Sequence, residues 1–204
     1  MRWAILIGIV VIAIAAVAAY FWLVQPKGSV TLLVLNSVGE RNVTEFSLSS
    51  GSTALIAGRD AYAMSLDDVN RIFVLSDGSF ITVESAGVVR KDDAGNLALL
   101  IASPVAPVKK VPLAVWDDGR RIAWINPADR SLQVFERNSR GVYLPIYLNK
   151  DVSGNSLGFT DDGDALVVAQ FGLEDTTLTA INLTRGTASK AGTVLGHAAI
   201  ISDI

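Results

Sequence analysis

The sequence predicts an all-β domain made of a repeated meander, preceded by one long apolar segment. Three observations carry that prediction. Beyond Gly28, short β-branched and apolar runs alternate with turns rich in Asp, Gly and Ser at close spacing. No stretch after the first 27 residues keeps a 3.6-residue apolar period. The segment 113–124 returns as 157–168, an offset of 44.

The N-terminal segment comes first in the chain. Residues 3–24 are 22 consecutive residues without a charge, ending at Gln25-Pro26-Lys27-Gly28. At about 1.5 Å per residue a helix of that length reaches roughly 33 Å, enough to cross a hydrocarbon core of about 30 Å. Trp3 at one end and Tyr20, Phe21 and Trp22 at the other fit the interfacial preference of amphipathic rings. Ala16-Val17-Ala18 matches a signal-peptidase pattern, yet the apolar run continues five residues beyond Ala19, so an uncleaved anchor is expected. The predicted division is therefore an anchor and short linker at 1–27 and a β domain at 28–204, with the lipid bilayer as the partner of residues 3–24. Arg2 and Lys27 nearly balance under the positive-inside rule. The habit of short N-terminal anchors then predicts a single-pass protein with its N-terminus in the cytoplasm and its domain outside.

Composition narrows the function classes. The chain has 17 Lys and Arg against 20 Asp and Glu. Arg2 and Lys27 belong to the anchor segment, leaving the domain a net charge of about −5. Beyond Lys109-Lys110 there is no basic run, so the electrostatic footprint that a nucleic acid requires is missing. There is no cysteine, which removes disulfides, thiolate nucleophiles and cysteine-based metal sites.

Within the domain, strands are expected at 30–36, 61–66, 71–75, 80–84, 97–102, 113–116, 122–125, 132–136, 142–148, 157–160, 165–169, 178–182 and 192–195. Ser76-Asp77-Gly78, Asp117-Asp118-Gly119 and Asp161-Asp162-Gly163 are turns, in which Gly supplies a positive φ and Asp bonds nearby amides. Residues 63–74 read as a third, degenerate copy of the repeat, offset by 50 from the central one. A period of 40 to 50 residues in an all-β chain is that of propeller blades, each a four-stranded meander.

The stretches Val115-Trp116-Asp117-Asp118-Gly119 and Phe159-Thr160-Asp161-Asp162-Gly163 resemble the F-S-P-D-G hairpin of TolB-like and related bacterial propellers. Asp117 and Asp161 stand where that family carries Pro. The resemblance covers residues 61 to about 183 and implies a fold. It transfers no site, because the Asp-Gly pair there is a turn device.

Blades are expected near 61–102, 112–149 and 156–196. Residues 29–57 read as three strands lacking an inner partner, and 198–203 as one inner strand lacking its blade. Either the C-terminal strand completes the first blade in a ring of about four, aligning Ile201 near Leu33, or the propeller is open with an exposed edge at each end. A β-sandwich with fortuitous repeats is the alternative architecture.

No residue is assigned to catalysis, to a cofactor or to a metal. His197 is the only histidine and reads as a solvated loop residue. The pairs Asp67/Asp68, Asp92/Asp93, Asp117/Asp118 and Asp161/Asp162 lack the spacing of a calcium loop, and three of the four recur at the same place in the repeat, which reads as turn formation. Trp116 and Trp124 read as core between blades. No phosphate-binding glycine loop and no G-x-S-x-G elbow occurs. The expectation is a membrane-anchored, extracytoplasmic, non-enzymatic binding or scaffolding module. The alternatives are an accessory subunit of a membrane complex, whose anchor packs through Ala13, Ala15, Ala16, Ala18 and Ala19, or a propeller enzyme.

Overall fold

The computed structural model describes residues 27–36, 40–57, 72–105 and 111–201, and the anchor predicted at 3–24 lies outside them. The described chain is all strand. It forms four antiparallel sheets of four strands, a four-bladed propeller arrangement. Among the described residues no helix is long and apolar enough to cross a membrane.

Blade 1 is built from β1 (Ser29–Leu35), β2 (Arg41–Ser47), β3 (Ser52–Ala57) and, on its inner side, the last strand of the chain. Blade 2 holds β4 (Ile72–Val74), β5 (Phe80–Glu84), β6 (Gly87–Lys91) and β7 (Leu97–Ala102). Blade 3 holds β8 (Leu113–Trp116), β9 (Arg121–Ile125), β10 (Leu132–Arg137) and β11 (Tyr143–Asn149). Blade 4 holds β12 (Ser156–Phe159), β13 (Ala165–Phe171), β14 (Asp175–Asn182) and β15 (Thr187–Leu195). The final strand, β16 (His197–Ile201), pairs antiparallel with β1, with Leu33 opposite Ala199 and Thr31 opposite Ile201. Of the two solutions expected from sequence, the chain takes the one that pairs its ends, two residues away from the Leu33–Ile201 alignment.

The degenerate third repeat is corrected. Ile72–Val74 is the inner strand of blade 2, paired with β5 through Ser76-Asp77-Gly78. The equivalent glycines are therefore Gly78, Gly119 and Gly163, and the doublet Asp67-Asp68 with the strand expected at 61–66 lies outside the described residues. A second regularity was not visible in the sequence at all. Each outermost strand carries one extra residue, at Ile56, Leu100, Ile146 and Ala191, which are 44, 46 and 45 residues apart. In each blade the third strand places a buried aliphatic residue beside the bulge: Val43, Val88, Val134 or Leu178. Bulges increase local twist and spoil the flat edge that another strand could join, which suits four free outer edges.

The core lies between blades. Because side chains alternate across a sheet, the two faces of one strand serve two interfaces. In β13, Ala165, Val167 and Ala169 pack toward blade 1, while Leu166 and Val168 pack toward blade 3. In β9, Ile122 and Trp124 face blade 2, while Ala123 and Ile125 face blade 4. That is why these strands read as unbroken apolar runs. Three buried clusters result, between blades 4 and 1, 3 and 4, and 2 and 3.

Seating β16 inside the ring creates a polar problem. Its Ala199 and Ile201 lie in register with β1, but the N–H groups of Ala198 and Ile200 bond to side chains of blade 4 instead. The Thr176 hydroxyl accepts from Ala198 N–H at 2.8 Å and donates to the Gly196 carbonyl at 2.8 Å. The Ser156 hydroxyl accepts from Ile200 N–H at 3.0 Å. An orphaned buried N–H costs roughly 1–3 kcal/mol. Thr176→Val, which keeps shape and removes the acceptor, is expected to lower unfolding stability by that amount in denaturant titration. An effect below about 0.5 kcal/mol would show that the hydroxyl does not hold the closing strand.

Candidate functional site

The turns between the first and second strands of blades 2, 3 and 4 meet on one face of the ring, and each begins from the same chemistry. Gly78, Gly119 and Gly163 have φ of 83°, 79° and 70°. In blades 2 and 4 the Asp before Gly caps its own turn. Asp77 Oδ1 accepts from Ser79 N–H at 3.0 Å, and Asp162 Oδ1 accepts from Asp164 N–H at 3.0 Å and from the Thr160 hydroxyl at 2.6 Å.

Blade 3 departs from this pattern. Asp117 and Asp118 both take left-handed backbone conformations, with φ of 48° and 53°. Such positions cost free energy for a side chain with a Cβ, although Asp tolerates them better than most residues. The compensation is a bond between blades: the Asp118 carboxylate accepts from Ser76 N–H at 2.7 Å and from the Ser76 hydroxyl at 2.8 Å. These two bonds hold the Asp118 carboxyl below its usual value, the backbone one foremost.

Blade 3 also reaches toward blade 4. Trp116 Nε1 donates to the Asp161 carbonyl at 3.2 Å, and the Arg121 guanidinium donates to the Gly163 carbonyl. The guanidinium carbons of Arg121 and Arg120 lie 5.1 Å and 5.9 Å from the Trp116 ring centre. Gly163 is flat against that ring, so a Cβ there would overlap it. Blade 1 joins through the Ser29 hydroxyl, which donates to Asp161 Oδ2 at 3.2 Å.

Between these turns and the end of the closing pair is a cavity of about 710 Å³. Blade 1 contributes Val30, Thr31, Ile56 and Ile201, blade 3 Val115, Trp116 and Asp117, and blade 4 Phe159, Thr160 and Asp161. The wall is apolar and aromatic with two carboxylates, and among the described residues no Lys, Arg or His lines it. Asp117 is 3.7 Å from Arg120, and both side chains are about half exposed. Of the residues weighed from sequence, Trp116, Asp117 and Asp161 come together here. The turn role expected of Asp117 and Asp161 is present, Trp116 is half-buried against blade 4 and not core as expected, and the additional role of the three as cavity wall was missed. Trp124 is interblade core, fully buried, its Nε1 donating to Gln133 at 3.2 Å.

His197 is elsewhere, and it is not a loop residue. It opens β16, opposite Leu35, its ring stacked on Phe171 at 5.3 Å and its Nε2 3.2 Å from the Gly172 carbonyl. Asp92 is a turn device as expected, taking Asn96 N–H and side-chain amide, each at 2.8 Å. Among the described residues no group of three or more His, Cys, Asp or Glu could hold a metal ion.

No family model matches the sequence, and no curated protein does. Solved structures do. TolB from Acinetobacter baumannii is similar at 12% identity over 86% of this chain and 45% of that one, TM-score 0.43. The periplasmic gluconolactonase PpgL from Pseudomonas aeruginosa is similar at 17% identity over 83% and 56%, TM-score 0.44. An auxiliary nutrient binding protein from Bacteroides ovatus is similar at 10% identity over 84% and 42%, TM-score 0.42. The chain spans less than two thirds of the length of each. At these values the likenesses carry nothing to the site, and the propeller architecture rests on the strand pairing itself.

Two outcomes are expected from this geometry. Gly163→Ala combines a positive φ with overlap on the Trp116 ring and should cost about 2–4 kcal/mol, whereas Gly141→Ala, with φ of 80° and open space around it, should cost about 1 kcal/mol. Equal losses in denaturant midpoint would mean that the ring does not depend on this close approach. The second concerns acid. A carboxyl lowered on folding contributes stability above its unfolded value and loses it as pH falls through the folded one. Stability should therefore decline as pH drops below 3.8, and Asp118→Asn should make that decline shallower. A curve unchanged by the substitution would remove Asp118 from the acid response.

Proposed function

We propose that the chain is a membrane-tethered, non-enzymatic binding module acting outside the cytoplasm, whose cavity takes a cationic group carrying some apolar surface. One observation carries this reading: two carboxylates, Asp117 and Asp161, and two aromatic rings, Trp116 and Phe159, converge on one cavity, and no cationic side chain among the described residues lines it. Carboxylates attract an ammonium or guanidinium group, and the Phe159 ring adds a cation–π term of about 0.5–2 kcal/mol. Val30, Val115 and Ile201 offer surface to an apolar stem. The enzyme reading has less support, since His197 sits at the opposite end of the strands from this cavity.

The test uses the full chain and a matched pair of probes, phenethylamine and phenylacetate, followed by calorimetry. The amine should bind at least tenfold more tightly, and Asp117→Asn with Asp161→Asn should abolish the preference. Equal binding of the two probes would sink the cationic reading.

A second reading, an accessory subunit of a membrane complex, draws on the blade edges. Leu97 and Leu99 on β7, and Leu144 and Leu148 on β11, are at least half exposed. Apolar side chains grouped on outer strands of adjacent blades suit a protein contact.

A further inference from the structure

The position of the chain's entry into the ring says which way the cavity looks. Gly28 has φ of 94°, and its carbonyl accepts from Leu48 N–H at 3.1 Å. A Cβ on Gly28 would lie 3.0 Å from Thr160 Cβ, so the backbone is in close contact with the Asp-Gly turn of blade 4. The next residue, Ser29, bonds to Asp161, which lines the cavity. The chain thus joins the ring at the cavity mouth, on the face of the Asp-Gly turns.

The apolar run of the sequence ends at Val24, and only Gln25, Pro26 and Lys27 intervene before Gly28. Fully extended, that linker spans about 14 Å at most. The face bearing Ala86 and Leu173, on the turns between second and third strands, is a strand length further away, about 17–20 Å. A linker this short cannot carry the ring around to present that face instead.

We infer that the Asp-Gly-turn face is the bilayer-facing side of the ring, so that the cavity opens toward the membrane surface. The inference rests on the tethered-module reading above and adds a direction to it. Its chemistry is consistent with that reading: the mouth aspartates disfavour an anionic headgroup and leave a cationic one as the fitting occupant.

Because the chain has no cysteine, orientation can be read with single introduced thiols. Full-length Arg140→Cys and Arg185→Cys place a probe on the turns between third and fourth strands, on the same face as the Asp-Gly turns, and Ala86→Cys and Leu173→Cys place one on the opposite face. Each is labelled with a bimane in phosphatidylcholine vesicles holding a headgroup nitroxide lipid. Quenching at 140 and 185 should exceed that at 86 and 173 by at least twofold. Equal or reversed quenching overturns the orientation while leaving the amine-binding result to stand or fall alone. Chain released from the vesicles by an alkaline wash overturns it too, by removing the tether.

Discussion

The structure depends on the pairing of its last strand with its first. Blades 2, 3 and 4 are each continuous in sequence, whereas blade 1 exists only when β16 crosses to β1. This is a long-range contact, so its loop-closure entropy must be offset by what it forms. The return is large. Ala198 and Ile200 enter the cluster shared with blade 4, and Ile200 fits against Gly158, where a Cβ could not be accommodated. Ser156 and Thr176 then satisfy the N–H groups that the ladder leaves over. Burial alone would not place this strand in register, because a slip of one residue would turn Ala198 and Ile200 away from the core and orphan those two donors.

The same constraint explains why one turn motif gives three outcomes. Gly at positive φ is needed in the turns of blades 2, 3 and 4, and the preceding Asp is free to choose its partner. In blades 2 and 4 it caps its own turn, and in blade 3 it leaves the turn to hold Ser76 of the neighbour. That departure shifts Asp117 as well. A second left-handed residue in tandem accompanies its place in the cavity wall, next to Trp116. Strain of this kind persists only where neighbouring contacts over-determine it, and here Ser76 and Arg120 do so.

Much of the fold was legible because it depends on local pattern. The Asp-Asp-Gly turns at 117 and 161 and the two-faced apolar strands after them gave period and class directly. Blade 2 was misaligned because the doublet Asp67-Asp68 looks more like the repeat than Ser76-Asp77-Gly78 does, although the turn itself requires only one Asp and the Gly. β6 escaped notice because it opens with Gly87, whose φ of 133° disguises a strand start. The bulges at Ile56, Leu100, Ile146 and Ala191 have no common residue type to announce them. The cavity was illegible for a different reason. Asp117-Asp118-Gly119 and Asp161-Asp162-Gly163 are the same tripeptide whose first Asp lines the cavity in both, and only the assembled blades bring Asp117 and Asp161, 44 residues apart, to one wall.

Cavity and closure are one piece of architecture. Thr31 and Ile201 are opposite one another in the closing pair, and both line the cavity. Asp161 and Thr160 on its far wall are also what Ser29 and Gly28 rest against as the chain enters β1. A pocket with these walls does not exist in a chain whose last strand is unseated. Any occupant that touches both Ile201 and Asp161 therefore binds the chain with β16 seated against β1 and blade 4, and by mass action it favours that seating in proportion to its affinity. The two carboxylates are held near each other by the contact of blades 3 and 4, where Trp116 donates to Asp161, and β16 adds Ile201 to the wall, so the strand that completes blade 1 also completes the site.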